Sequence, residues 1–259
     1  MKKTEFDSVE ENRGYKVVKS NDLIQRARYN LSMQEQKIIL YLISKIKPDD
    51  DEFKLYEFQI KDFCEVCGID ESNGGNYVML KETIKKLTDK SNWVVIKGRD
   101  GEEWETIVRW IEKPFINKKS GIIKIRLDRE MKPYLLQLKQ KFTTYSLYFT
   151  LAMKSKYSLR IYELLKSYQN LEKCEFEIEK LKSNLAAEKY ASFADFKIKV
   201  IDVAVREINA YTDITVSYEL EKQGRKYSKI KFKIIQKYNQ DFEETMKLWK
   251  NINDALNKQ

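Results

Sequence analysis

The same succession of apolar segments occurs in both halves of this chain, and this internal repeat is the feature that most constrains its fold. Phe58-Gln-Ile60-Lys-Asp-Phe63 in the first half corresponds to Phe176-Glu-Ile178-Glu-Lys-Leu181 in the second half, 118 residues later. Aromatic and apolar residues have the same spacing in both stretches. Two runs with the same internal spacing predict two copies of one module far more strongly than a single run predicts one.

The first copy predicts helical segments followed by strands. Ser32 and Glu35 form a capping box before a helix whose apolar residues keep helical spacing as far as Ile46. A second segment covers residues 55–68, with Gly68 as a helix stop, and Asn76 begins the next helix. Strands follow at residues 93–96, 105–111 and 121–127, with an Asp-Gly turn signal at residues 99–102.

The second copy repeats this order. A helix is predicted near residues 157–168, a second segment at residues 176–181, and a long helix at residues 193–209. Two strands follow at residues 213–220 and 229–235, where apolar residues alternate with polar ones, and Gly224 turns the chain between them.

Helix, helix, helix and hairpin is the element order of a winged helix, so the sequence predicts an α+β fold with two tandem winged-helix domains. We expect a disordered arm at residues 1–14, a first domain at 15–138, and a second at 139–259 that includes a helical tail from residue 237. The join at residues 128–150 begins with a helical pattern at 128–138 and is then aromatic-rich, so we expect it to pack against both domains. Two unrelated α+β domains, or one domain with insertions, are the alternatives.

The charge of the chain predicts a polyanionic partner. The net charge is +9, and residues 189–237 contain eleven cationic and six anionic side chains, which is over half of the net charge in under a fifth of the chain. Such a concentration favours binding to double-stranded DNA. The alternative is a lysine-rich proteome, in which every protein surface is basic.

The helix at residues 193–209 is the strongest candidate for base recognition. Its apolar arc leaves Lys199 and Arg206 on the opposite face with Ser192, where long cationic side chains could reach base edges or phosphates. Lys197 falls within the apolar arc, so it could serve only if the first turn protrudes or its stem snorkels. The alternative is a solvated helix face on which Asp195 and Asp202 offset the cations.

Three further groups of polar residues are candidate DNA contacts. The hairpin of the second copy has a basic tip and a strand face on which Lys229, Lys231 and Lys233 lie together. The start of its first helix suits a phosphate clamp, although an ordinary N-cap is an equal alternative. The first copy offers weaker contacts, because its hairpin tip is nearly neutral. The residues are Arg225, Lys226 and Lys229 in the hairpin of the second copy; Lys156, Ser158 and Arg160 at the start of its first helix; and Asn76, Lys81 and Lys85 in the first copy.

The composition argues against an enzyme. The chain has no histidine, which excludes most hydrolytic triads and His-based zinc sites, and it has no glycine-rich nucleotide-binding motif. Cys64 and Cys67 have a metal-like spacing, but no second pair completes a zinc site. We therefore predict neither cofactor nor metal. Three cysteines, no export signal and no long apolar run predict a cytoplasmic protein without a membrane partner.

Several of these stretches resemble the plasmid replication initiators of the Rep_3 (RepB-like) family. Residues 18–24 (VKSNDLI) and 31–37 (LSMQEQK) resemble the family's N-terminal signature. Residues 157–165, 195–200 and 206–209 resemble its second-domain signature, and Thr212-Asp213 and Gly224-Arg225-Lys226 also fit. The resemblance covers roughly residues 15–236, and the paired motifs in order are its specific part.

The resemblance implies a sequence-specific initiator that binds direct repeats (iterons) at a plasmid origin as a monomer. It further implies melting of an AT-rich segment, recruitment of the host initiator and the replicative helicase, and repression of its own promoter by dimers formed through the first domain. The second domain would make the main base contacts, with Lys197, Lys199 and Arg206 in its recognition helix and Arg160 in a phosphate-contacting helix. Ile198 stands where the family often has a basic residue, so fewer charged contacts are expected from that turn.

Two other functions stay open on the sequence alone. A transcriptional regulator with tandem winged helices would also bind duplex DNA, but it would neither melt DNA nor bind a helicase. A rolling-circle relaxase or another nuclease would need a tyrosine nucleophile, which is available, and the usual histidine metal cluster, which is not.

Overall fold

The computed structural model describes residues 15–67, 76–97 and 102–237. The predicted N-terminal arm, the expected stop at Gly68, the turn at residues 98–101 and the predicted C-terminal tail helix lie outside these residues. Within the described part of the chain, no helix is long and apolar enough to cross a membrane.

The first half of the chain alternates helices with short strands. In order, its elements are β1 (Lys16–Ser20), α1 (Asn21–Arg26), α2 (Met33–Ser44), β2 (Tyr56–Gln59), α3 (Ile60–Cys67), α4 (Asn76–Asp89), β3 (Ser91–Lys97), β4 (Glu103–Arg109), β5 (Phe115–Asn117) and β6 (Ile122–Ile125).

The predicted capping box is confirmed at the start of α2. The hydroxyl of Ser32 accepts a hydrogen bond from the amide of Glu35, and the Glu35 carboxylate accepts one from the Ser32 amide at 2.6 Å. Both bonds satisfy amide groups that a helix start leaves without partners. The apolar residues that follow, including Ile38, Leu42 and Ile43, are almost fully buried in the core.

Strands β2 to β6 form two separate sheets. Strands β2, β6 and β5 form a three-stranded antiparallel sheet, whereas β3 and β4 form a two-stranded hairpin of their own. The predicted segment 55–68 is therefore a strand followed by a helix, and the predicted strand 121–127 pairs away from the hairpin.

The join contains less helix than its pattern indicates. A 3-10 turn (Arg129–Met131) leads into the short helix α5 (Lys132–Leu135), after which the chain continues as β7 (Phe142–Ser146) and α6 (Tyr148–Leu151). Strand β7 pairs antiparallel with β1, so a boundary at 138/139 would cut between two strands of one sheet. The boundary itself stays a prediction.

Helix α7 (Lys156–Lys166) packs against both halves of the molecule. Toward the first half, Arg160 donates to the carbonyl oxygen of Ile24 at 3.2 Å. Toward the second half, Tyr162 and Lys166 both donate to Asp213, at 2.9 and 2.5 Å. Of the join itself, β7 pairs with β1, and Tyr145 in β7 packs its ring against Tyr162 of α7. That the join packs against both domains stays a prediction.

The second half is a winged helix built around one long helix. After α7 come β8 (Lys173–Glu177), α8 (Ile178–Asn184), α9 (Phe193–Phe196), a π-helical turn (Lys197–Ile201), α10 (Asp202–Tyr211), β9 (Ile214–Gln223) and β10 (Lys226–Gln236). The elements from α9 to α10 are continuous, and we call them the 193–211 helix. Strands β8, β10 and β9 form one antiparallel sheet in that order, and Gly224 makes the predicted turn with a φ of +64°.

Candidate nucleic-acid interface

The 193–211 helix begins at a capped and exposed end. Ser192 is its N-cap, and the Ser192 hydroxyl accepts a hydrogen bond from the Asp195 amide at 3.1 Å. Its inner side, formed by Phe196, Val200, Ile201, Ala204 and Ile208, is fully buried as the sequence predicts. Because Ser192 already caps the helix, its hydroxyl could reach DNA only as a second interaction.

A π-helical turn explains how Lys197 leaves the apolar arc. The amide of Asp202 donates to the carbonyl oxygen of Lys197, five residues earlier, so the two side chains lie on one face. Lys197 Nζ accordingly lies 2.8 Å from Asp202 Oδ2 and is half-buried. In a regular α-helix, residues five apart point in different directions. Hydrogen bonds to Asp202 and Tyr218 raise the pKa of Lys197, so it is a cation at neutral pH.

Lys199 and Arg206 are both exposed on the outer side of this helix, as the sequence predicts. Lys199 Nζ lies 2.6 Å from an Asp195 oxygen one turn earlier, and this hydrogen bond raises the pKa of Lys199. Arg206 forms no ion pair within the part of the chain that the structure describes. An exposed lysine–carboxylate pair is weak enough for a phosphate to displace it. Arg206 is therefore the cation that is most available to a base edge.

The hairpin of the second half, which we call the wing, lies beside the start of this helix. Arg225 and Lys226 are exposed at its tip. The ring of Tyr227 packs against that of Phe193, with centroids 4.9 Å apart. This contact connects the wing tip to the first turn of the 193–211 helix, so Arg225 and Lys226 lie near the start of that helix.

The cationic face of β10, which the sequence marks as a candidate DNA contact, is partly neutralised by carboxylates. Lys229 Nζ lies 2.7 Å from Glu175 on the neighbouring strand β8, and Lys231 Nζ contacts Glu175 at 3.5 Å and also Glu221. The sequence did not reveal this, because the pairing of β8 with β10 brings together residues more than 50 positions apart. Lys229 therefore belongs to the edge of the basic surface.

Ser158 and Arg160 are not at the surface, and the expectation that they form a phosphate clamp is wrong. Ser158 is fully buried, and Arg160 is 5% exposed. Arg160 Nη1 instead lies 3.1 Å from Glu163, and its guanidinium stacks over the ring of Tyr29 at 4.1 Å. The spacing of 100° per residue predicts which side of a helix a residue lies on. It does not predict whether that side is covered, and protein covers both sides of α7.

Glu163 is the centre of this buried cluster, which we call the junction cluster: Lys19, Tyr29, Tyr145, Arg160 and Glu163. Its carboxylate lies 2.6 Å from Lys19 Nζ and also accepts from the Tyr145 hydroxyl. Burial alone would raise the pKa of Glu163, but the charges of Lys19 and Arg160 and the hydrogen bonds outweigh it and hold the pKa below its usual value. Glu163 is therefore ionised at neutral pH.

Lys156 lies at the rim of a polar crevice of about 410 Å³ where the two halves meet. Its Nζ donates to Asn30 at 2.6 Å, and Lys90 also lines the crevice. Partial burial lowers the pKa of Lys156, and the charges of Lys189 and Lys90 lower it further. Of the three residues expected at the start of α7, Lys156 is the one that stays available to a phosphate.

The first half presents a different surface. Lys81 and Lys85 are exposed on α4, as the sequence predicts, and Asn76 is the first residue of that helix. On the hairpin β3–β4, the cross-strand partners Trp93 and Ile107 are both 53% exposed, and Trp104 is 56% exposed. Alternation in the sequence assigns such residues to a core, so the sequence alone did not mark this apolar surface.

The described residues contain no group of three or more Cys, Asp or Glu side chains arranged to hold a metal ion. Cys64 is buried in α3, and burial raises the pKa of the third cysteine, Cys174, to about 12. Cys174 is therefore a neutral thiol at physiological pH.

Two segments of the chain match protein-family models. Residues 16–166 match the model described as "Initiator Replication protein, WH1", and residues 177–234 match "Initiator Rep protein, WH2". The chain belongs to the Rep3 family of plasmid replication initiators. The predicted family and the predicted pair of winged-helix domains are both confirmed. The first model includes α7, the helix that packs against both halves.

Individual relatives of this Rep3 chain include two proteins of Escherichia coli. The PI protein is 33% identical over 148 residues, which are 50% of this chain and 48% of that protein, so the match spans about half of that relative's length. A replication initiation protein is 24% identical over 231 residues, covering 84% of this chain and 69% of that protein.

A solved structure, the Pi initiator protein in complex with iteron DNA, has a TM-score of 0.67 with this chain at 24% sequence identity. The similarity covers 86% of this chain and 98% of that chain. At this level of identity the similarity establishes the shared fold.

Proposed function

We propose that this chain is an initiator of plasmid replication that binds direct repeats in origin DNA, chiefly through its second domain. The observation that carries the proposal is the contact of Tyr227 with Phe193, which brings the basic wing tip beside the start of the helix that exposes Lys199 and Arg206. A helix of this kind fits the major groove, and a basic wing beside it fits the adjacent phosphates. The family relationship and the iteron-bound Pi initiator support the same function.

The first domain has a supporting role in this proposal. Lys81 and Lys85 on α4 would add phosphate contacts, and Lys156 would contribute at the crevice between the domains. The expected dimer would form through the first domain, because Trp93 and Ile107 expose adjoining apolar area on one face of the hairpin, which association with a second copy would bury. Such dimers would repress the chain's own promoter.

The proposal extends to melting of an AT-rich segment and to recruitment of the host initiator and replicative helicase. The family membership supports these steps. They distinguish an initiator from a tandem winged-helix regulator, which would bind the same kind of DNA without opening it.

Binding of the full chain to a random-sequence duplex library, followed by selection and sequencing, tests the proposal. We expect one preferred duplex site, which in the parent plasmid recurs as tandem copies beside an AT-rich stretch. Permanganate reactivity of thymines in that stretch should increase when the protein binds. Selection that recovers no preferred site would contradict the proposal, and binding without increased reactivity would favour the regulator.

A further inference from the structure

The 193–211 helix exposes one large apolar side chain on the side that carries its cations. Ile198 is 60% exposed, whereas the apolar residues Phe196, Val200 and Ile201 around it are buried. All residues of this helix lie in the described part of the chain. An isolated exposed isoleucine is unremarkable on an ordinary surface. Ile198 is different because it lies in the first third of a helix that is suited to the major groove.

The residues on either side of Ile198 have their charges locally offset. Lys197 pairs with Asp202 at 2.8 Å, and Lys199 pairs with Asp195 at 2.6 Å. The carboxylates thus draw both lysine head groups along the helix and away from the space above Ile198. The π-helical turn is responsible for the first of these pairs, because it places Lys197 and Asp202 on one face. Ile198 is therefore an exposed branched hydrocarbon between two lysines whose charges are offset.

We propose that Ile198 determines part of the sequence specificity by contacting the 5-methyl group of a thymine in the major groove. The inference rests on the proposed function, since it requires this helix to bind duplex DNA. An isoleucine side chain neither donates nor accepts a hydrogen bond, so it cannot read the polar groups of a base edge. The thymine methyl is the apolar group that the major-groove edges of the four standard bases offer.

The test compares thymidine with deoxyuridine, two nucleosides that differ only by this methyl group. The full chain first selects its preferred site from a random duplex library, and each thymine of that site is then replaced singly by deoxyuridine. At one position we expect the wild-type protein to lose about three- to fivefold in affinity, which is the effect of leaving one methyl group unburied. Ile198→Ala should bind the thymine and deoxyuridine duplexes equally at that position.

Two controls accompany this measurement. Ile235→Ala removes another exposed isoleucine, located near the end of β10, and should keep the wild-type ratio between the two duplexes. Because Ile198 is exposed, Ile198→Ala should unfold at the same temperature as the wild type, so a loss of specificity would not reflect a loss of fold.

Three outcomes would overturn the inference, and they differ in what they imply for the proposed function. The first is that no thymine is sensitive to loss of its methyl group. The second is that Ile198→Ala keeps the wild-type ratio of affinities for the thymine and deoxyuridine duplexes. In either case Ile198 does not contact a thymine methyl group, but the proposed DNA binding stands. If the library yields no preferred site, the proposed function fails as well.

Discussion

The two hairpins of this molecule have the same place in their domains but differ in how they are supported and what they expose. The hairpin β3–β4 forms a sheet by itself and exposes Trp93 and Ile107. The wing β9–β10 is joined to a third strand, β8, and its tip carries Arg225 and Lys226. The first surface suits a protein partner and the second suits DNA.

This difference shows how one module acquires two uses. In the second domain the strand before the second helix, β8, pairs with β10 of the wing. In the first domain the equivalent strand, β2, pairs with β6 instead. A wing held in a three-stranded sheet and packed through Tyr227 against Phe193 can position its cations against a rigid polyanion. In the hairpin β3–β4, the face with Val94 and Val108 is buried, whereas Trp93 and Ile107 on the other face are exposed.

The largest expected effect concerns the junction cluster, in which Lys19, Tyr29 and Tyr145 of β7 contact residues of α7. Glu163→Gln should lower the free energy of unfolding by about 3–5 kcal/mol, because it leaves the buried charges of Lys19 and Arg160 without their counterion. Chemical denaturation measures this change. Glu219→Gln, which alters an exposed carboxylate of β9, should change stability by less than about 0.5 kcal/mol.

The same substitution predicts a pH dependence. The pKa of Glu163 is lower in the folded protein than in the unfolded chain, so its contribution to stability is present above the unfolded pKa and disappears as the pH falls through the folded pKa. Wild-type stability should therefore fall more steeply than that of Glu163→Gln below about pH 4.5, the ordinary value for glutamate. Parallel curves for the two proteins would contradict an ionised Glu163.

The unequal roles of the domains in DNA recognition are tested next. Lys199→Ala with Arg206→Ala should weaken binding to the selected site about a hundredfold and leave the fold intact, because two side chains directed at bases or phosphates are lost. Lys81→Ala with Lys85→Ala is the matched double substitution on α4 and should weaken binding less than tenfold. Fluorescence anisotropy at fixed salt measures both. Equal losses would mean that the two domains share recognition equally.

The apolar hairpin provides the next test. Ile107→Lys should raise the dissociation constant of the dimer at least tenfold, because a charge would enter the apolar surface opposite Trp93. Sedimentation analysis measures this constant. Ile235→Lys makes the same change on an exposed position of the wing sheet and should leave dimerisation unaffected. If both proteins dimerise as the wild type does, the first hairpin is not the interface.

The smallest effect is expected at the wing tip. Arg225→Ala with Lys226→Ala should reduce the slope of log K against log salt by up to ~2, at ~0.9 for each lost phosphate contact. Arg109→Ala, which removes an exposed cation from the first hairpin, should leave the slope unchanged. A slope that is the same for the wing variant and the wild type would show that the wing does not touch the backbone.

Much of the fold was predictable because it depends on local signals. The capping box at Ser32, the apolar face of the 193–211 helix and the turn at Gly224 are each set by residues within a few positions of one another. Their repeated order predicted two winged helices, and the concentration of lysine and arginine in the second copy is the basis for proposing that this copy makes the main DNA contacts. The exposure of Lys199 and Arg206 also followed from helical periodicity.

Only the tertiary structure decided which polar side chains are free to act. Arg160 and Ser158 lie at a promising helix start, yet the packing of the first half against α7 buries both. Glu175 offsets Lys229 across strands that are far apart in the chain, and the π-helical turn moves Lys197 out of the apolar arc. The sequence determined the elements and the charge of each half, because both follow from near neighbours or composition. The availability of each charge depended on long-range contacts, which no local pattern encodes.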